Sequence, residues 1–327
     1  MSALTRWLAS PSLRPFVLLA VVIVALVAFD GAQGRILNRA ILFSVLQQFA
    51  TLGPVALGLG LTMILREFDL SIGGVMSLAG CIAVMFGAGT PAFGIVLALA
   101  VGFAAGAAQG AIMVRLNLSS VGVTLGGLLT LGGMAYVITE NKAIGYDRMD
   151  IAMQVNDPIL GVFSLRSLVA LGIFVVAALA IGWTRPGRDV RAVGSDRRSA
   201  SVAGVDTGKI IIGIFAVSGT LTALAGALLS YSLAAASPVA LADALVPAAA
   251  ACIIGGVSLS GGKGTPLGIA GGVLVLCFLR SGLSAIGLPP YMHDIVTGGV
   301  LVVVALLDAE DLQRRLFALS NVSSRHA

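Results

Sequence analysis

Two histidines and three cysteines are the whole supply of soft ligands and imidazole bases in this 327-residue chain. His293 follows an apolar run and His326 lies in the tail, so neither a histidine-based metal cluster nor a serine triad can be assembled from them. Cys81, Cys252 and Cys277 each sit in apolar sequence without CxxC spacing; they read as small packing residues rather than a disulfide framework or a zinc site. No metal site is expected. Buried proton relays fare no better: Arg66, Glu67, Asp69, Asp243, Arg280 and Asp294 all fall near the ends of apolar segments, where long side chains snorkel and carboxylates cap helices. These residues point away from an enzyme and from a proton-driven carrier.

Two strings look like nucleotide-binding sequence. Gly204-Val-Asp-Thr-Gly208-Lys209 is one residue short of a P-loop, and Ile210 stands where a magnesium-binding Ser or Thr belongs. Leu259-Ser260-Gly261-Gly262-Lys263 is similar to the LSGG signature of transport ATPases, but no Walker sequence accompanies it. The chain itself is therefore expected to bind no nucleotide and no other cofactor.

The elements that position these residues are membrane spans. At 58% hydrophobic and 11% charged, with a mean hydropathy of +1.03, the chain is far too apolar for a soluble globule, which carries about 25% charge. The net charge of +5 is no nucleic-acid signal, because the basic residues lie in short loops between apolar runs. A crossing needs about 20 apolar residues. Ten candidates meet or approach this: 16–29, 41–64, 70–88, 92–114, 120–138, 167–183, 210–234, 244–258, 265–282 and 292–307. The first reads as an uncleaved span, since no small-residue cleavage site follows it. The expected fold is an all-α polytopic membrane protein: a cytoplasmic tail 1–15, one transmembrane domain 16–308 and a cytoplasmic tail 309–327.

Orientation follows from one loop. Between Trp183 and Lys209 lie Arg185, Arg188, Arg191, Arg197, Arg198 and Lys209 against Asp189, Asp196 and Asp206, and short basic loops stay in the cytoplasm. The loop, about 184–209, has room for one or two short helices. With it inside and ten spans, both termini are cytoplasmic, and fourteen Lys and Arg fall inside against six outside (Arg35, Arg39, Lys142, Arg148, Arg166 and Arg280). The segment 139–166 becomes an external loop of mixed charge. Within the spans, Gly102-Phe-Ala-Ala-Gly106-Ala-Ala-Gln-Gly110, Gly122 with Gly126, and Gly268 with Gly272 repeat a spacing that lets helix backbones approach closely in lipid. Gly53-Pro54 and Asp69-Leu-Ser-Ile-Gly-Gly74 interrupt spans, and freed backbone at membrane depth is tolerated only against protein or a water-filled path.

Three ordered motifs then carry a resemblance. Glu67-Phe-Asp-Leu-Ser-Ile-Gly73-Gly-Val-Met-Ser-Leu-Ala-Gly80, the loop segment Gly187-Arg-Asp-Val-Arg-Ala-Val-Gly194-Ser-Asp-Arg-Arg-Ser-Ala-Ser-Val-Ala-Gly204-Val, and Gly255-Gly-Val-Ser-Leu-Ser-Gly-Gly-Lys-Gly264-Thr with Leu279-Arg-Ser-Gly-Leu283 resemble permease subunits of ribose-type sugar ABC importers, over roughly residues 40–308. The resemblance implies a type II-like ABC importer permease bundle with broken helices, in a bacterial inner membrane. It also implies a second permease copy, two cytoplasmic ATPases that use ATP and Mg2+, and a periplasmic protein that delivers a monosaccharide or related polyol. The basic loop becomes the surface that couples to the ATPases, through Arg188, Arg191, Gly194, Asp196, Arg197, Arg198, Ser199, Ala200, Gly204 and Val205. On this reading Gly194 and Gly204 make tight turns, Ser199 and Ala200 keep a face small enough to enter a cleft, and Arg197 with Arg198 meet acidic groups of the ATPase.

The implied path draws on the few polar groups within the spans: Asp69, Ser71, Gln47, Gln48, Thr51, Thr124, Thr130 and Ser218. Asp69 is weighted towards capping the third span over touching substrate. The sequence departs from the family pattern at Asp196-Arg197-Arg198-Ser199, at Ala244-Leu-Val-Pro247, which lacks an acidic residue, and at Gly132-Gly133, where an arginine-glycine pair is common. These departures favour one member of an unlike permease pair. The competing readings are a permease for branched-chain amino acids or nucleosides, and a self-sufficient secondary carrier.

Overall fold

The computed structural model describes residues 13–31, 33–239 and 244–308. The expected C-terminal tail, most of the N-terminal one and Asp243 lie outside these residues. Ten apolar helices occupy the ten expected positions: α1 (Arg14–Phe29), α2 (Arg39–Ile64), α3 (Ile72–Phe86), α4 (Pro91–Leu116), α5 (Ser120–Ile138), α7 (Leu165–Trp183), α10 (Thr207–Ser232), α11 (Leu245–Ile254), α12 (Pro266–Ala285) and α13 (Pro290–Asp308). Six of them, α2, α4, α5, α7, α10 and α12, are long and apolar enough to cross a bilayer. The other four are shorter. Between α5 and α7 lie the two-residue strand β1 (Ile144–Gly145) and α6 (Met149–Asn156). Two short helices, α8 (Arg185–Ser195) and α9 (Arg197–Val202), fill the basic loop.

Helix α10 runs through the middle of the bundle, against α4, α3 and α2, while α12 packs on α2, α1 and α11. Lipid tails are as apolar as Leu, so close backbone packing rather than water exclusion must hold such helices together. The glycine spacing does this at Gly102 and Gly106 of α4, where a Cβ would overlap Gly219 and the Phe215 carbonyl of α10. Gly268 and Gly272 meet α11 and the turn after it in the same way, at Gly255 and Ala251. Gly122 and Gly126 differ: they face open space in the groove between α4 and α5.

The two expected interruptions behave differently. Helix α2 runs unbroken through Pro54, where the proline sits fully buried in the bundle. The second interruption is a true break: α2 ends at Ile64 and α3 starts at Ile72. Its end has the hydrogen bonding of a Schellman cap, with Glu67 N donating to Thr62 O at 3.0 Å and Arg66 N to Met63 O at 3.0 Å, around Arg66 at φ 63°.

On one end, β1 pairs antiparallel with β2 (Ala235–Ala236), which directly follows α10. Tyr146 donates to Gly87 O at 3.0 Å and Tyr231 to Ala83 O at 2.8 Å, with their rings 4.9 Å apart. Segment 139–166 is thus tied down on the ends of α3 and α10.

The contrast between the two glycine sets is testable on the isolated chain in detergent. Gly106→Val forces a side chain into the α10 backbone and should lower stability by about 1–3 kcal/mol or more, read as a lower unfolding temperature. Gly122→Val should leave it unchanged; equal losses in both would remove the close-packing role assigned to Gly106.

Candidate translocation site and coupling surface

Burying a carboxylate without donors is costly, and Asp69, 2% exposed, lies in the break between α2 and α3. Its Oδ1 accepts from Ser71 N at 3.0 Å and Ser71 Oγ at 2.6 Å, and its Oδ2 accepts from Ser218 Oγ of α10 at 2.8 Å. Gln109 Nε2 of α4 donates in turn to Ser71 Oγ at 3.1 Å. The Asp69 carboxylate does not cap α3, whose N-cap Ser71 has no side-chain cap bond; it bonds Ser71 itself and ties the turn before α3 to α10. Next to it, Phe68 N donates to Ser120 Oγ at 3.2 Å, and Thr124 Oγ1, bonded to Ser120 O, lies 3.1 Å from Phe68 O. The break's free backbone groups are satisfied by the start of α5.

Gln47, Gln48 and Thr51 lie elsewhere. They share one face of α2 and line a cavity of about 450 Å³ between α2, α7, α12 and α11. Gln48 Nε2 donates to Ser281 Oγ at 2.8 Å, and Ser44 Oγ is 3.1 Å from the same oxygen. Arg166, from the start of α7, reaches Gln47 Oε1 at 2.7 Å and Thr51 Oγ1 at 3.4 Å, and Gln47 Oε1 also accepts from Ser164 Oγ. Arg280 of α12 completes the polar wall. Thr130 belongs to neither group: with Gln109 it lines an apolar groove between α4 and α5.

The path residues named from sequence thus divide into a buried interlocked knot (Asp69, Ser71, Ser218, with Thr124 beside it), the wall of a cavity (Gln47, Gln48, Thr51) and one outlier. Sequence reading missed the cavity's two arginines. Charge counting places both on the external side, Arg166 one residue before the expected span 167–183 and Arg280 near the end of 265–282.

The basic loop folds back on the bundle. Asp196 accepts from Arg198 N at 2.8 Å and Ser199 N at 3.2 Å and caps α9; the Ser199 amide and hydroxyl and the Arg198 amide hold its carboxyl below the usual range. Arg197 pairs with Glu67 and reaches Leu65 O, and Arg66 donates to Ser195 O at 2.7 Å. Arg191 closes onto the last carbonyls of α7 through Ile181 O. Gly262 N donates to Ile64 O at 2.8 Å, and a Cβ at Gly194 would overlap that carbonyl.

Three expectations change accordingly. Gly194 serves close approach inside α8 rather than a turn, whereas Gly204 does turn, at φ +86°. Ala200 faces the chain's own core, while Ser199 is exposed with its hydroxyl on Asp196. Arg197 is engaged within the chain by Glu67, a carboxylate one loop away that spacing does not reveal. Val205, whose amide bonds Ala200 O, only closes the turn after α9. Exposed here are Arg185, Arg188, Arg198 and Val202.

A polytopic helical bundle with a broken helix, a polar cavity within it and a folded basic loop defines the permease class of membrane subunits. The chain matches residues 41–305 to the family described as branched-chain amino acid transport system / permease component, and it belongs to that family. It is 30% identical over 277 residues to the ribose import permease protein RbsC of Escherichia coli, covering 82% of this chain and 85% of that one. It is 27% identical over 373 residues to the xylose transport system permease protein XylH of Haemophilus influenzae, covering 94% and 99%. No solved structure matches it significantly.

Ser218→Ala removes the donor to Asp69 Oδ2 and leaves a buried carboxylate oxygen unmet, which costs about 1–3 kcal/mol. The purified variant should unfold at a lower temperature. An unchanged unfolding curve would show that the knot does not hold α3 to α10.

Proposed function

We propose that the chain is the membrane subunit of an ATP-driven importer for a monosaccharide or related polyol, crossing a bacterial inner membrane ten times with both termini in the cytoplasm. The observation that carries this reading is the cavity within the bundle faced by Gln47, Gln48, Thr51 and Ser44. Amide and hydroxyl groups suit a solute rich in hydroxyls, and the ribose and xylose permeases among the relatives agree with that chemistry. Four shorter apolar helices would complete the ten crossings, as short spans can where neighbouring helices shield their ends.

A delivery protein on the 139–166 side hands over the sugar, and two ATPases bind the exposed Arg185, Arg188, Arg198 and Val202 of α8 and α9. A second permease, like or unlike, completes the pair. The chain supplies no catalysis; ATP and Mg2+ belong to the ATPases. When these close, they displace α8 and α9, and the Arg197–Glu67 pair with the Arg66–Ser195 bond carries that displacement to the end of α2.

Gentle purification of the tagged chain from its native membrane tests the class. An ABC ATPase should remain bound. Recovery of the chain alone, still moving sugar in ATP-free vesicles, would make it a secondary carrier instead.

The two arginines should separate. Arg198→Glu should weaken ATPase binding with no change in the permease's own unfolding. Arg197→Glu should retain the ATPase yet lose uptake, with stability changed by less than about 1 kcal/mol because the pair is partly exposed, and Glu67→Arg in the same chain should restore it. Full uptake by Arg197→Glu alone would remove that pair from coupling.

A further inference from the structure

Among the described residues, one charge in the cavity has no counter-charge. Arg166 is 5% exposed, its guanidinium meets only the neutral Gln47 and Thr51, and its Nε–H has no acceptor. An arginine stays protonated, so a buried one is normally paired with a carboxylate or left strongly unsatisfied. Among the described residues no acidic side chain lines the cavity. Arg280, on the opposite wall, already faces Asp294 at 3.5 Å, which leaves a single unmatched positive charge among the described residues of the cavity.

Resting on the importer reading above, we infer that the cavity passes a monosaccharide bearing one carboxylate, a uronic or aldonic acid, and that Arg166 is the residue that meets the carboxylate. One uncompensated cation matches a monoanion and not the dianion of a sugar phosphate. The two terminal nitrogens of Arg166, which now donate to Thr51 and Gln47, are the parallel donors with which a guanidinium grips a carboxylate. Gln47, Gln48 and Thr51 remain for the hydroxyls, so neutral and acidic sugars share the polyol contacts and differ at Arg166 alone.

The test uses the purified full chain. A thiol-reactive fluorophore reports its unfolding as the buried Cys81, Cys252 and Cys277 become exposed. D-galacturonate, D-galactose and sodium acetate serve as probes. Galacturonate should stabilise the chain at concentrations about tenfold or more below those galactose requires, the worth of one charge-assisted hydrogen bond, and acetate should not reproduce the effect. In Arg166→Gln the preference should vanish. Should that variant fail to fold, Gln47→Glu neutralises Arg166 in place with little change of shape and should abolish the preference equally.

Equal responses to the two sugars, no response to galacturonate, or an undiminished preference in Arg166→Gln or Gln47→Glu would overturn the inference. ATPase-dependent uptake of a neutral aldose by the same importer would then leave the importer reading standing. A chain that brings no ATPase with it would remove the importer reading itself.

Discussion

A broken helix inside a bilayer must find partners for its freed backbone, because there is no water to supply them. Between Leu65 and Ser71 that constraint is met partly by the cap of α2 itself, through Thr62 O and Met63 O, and partly by side chains of other helices. Ser120 and Thr124 take the Phe68 amide and carbonyl, Ser218 holds Asp69, and Gly262 satisfies Ile64 O just before the break. The same stretch carries Arg66 and Glu67, which fasten α8 and α9. The starts of α3 and α5, the middle of α10 and the two loop helices all take their positions from it. A change here would move several helices together, which is why the polar residues of this region read better as a joint than as a path.

The cavity obeys a different rule. Its wall comes from regular helices, α2, α7 and α12, whose backbone is satisfied internally, so its glutamines, serines and threonine are free to face a solute. Holding such groups in the bundle is tolerable because they bond to each other across helices, as Gln48 does to Ser281 and Gln47 to Arg166 and Ser164. The cavity and the joint are separate constructions, in contact through α2 and α3.

Helix positions were legible in the sequence because apolar runs of roughly span length have few alternatives, and the break at Asp69-Leu-Ser-Ile was legible because polar and glycine residues cluster there. Gly53-Pro54 misled: proline at mid-span is tolerated when neighbouring helices shelter it, and Pro54 is fully buried. Charge counting places Arg166 with the external loops, which hid its burial among the helices. Nor can spacing reveal that Arg197 meets Glu67, 130 positions earlier. Long-range pairing of this kind depends on how α2 and α9 are brought side by side, and that depends on the glycines at 194, 261 and 262.

Stiffness is what makes such a joint useful to a transporter. Where Gly102, Gly106 and Gly219 bring the α4 and α10 backbones into contact, no flexible side chain remains to absorb a shift, so the two helices move as one body. Helix α5 is locked to α3 in the same way, where a Cβ at Gly74 would overlap the Leu128 carbonyl, and is open towards α4 at Gly122 and Gly126. Displacement entering at α9 through Glu67 therefore meets the break, which Asp69 and Ser218 fasten to α10. The break thus acts as the fulcrum in the proposed cycle, and its hydrogen bonds, not the cavity's, determine which helices turn together.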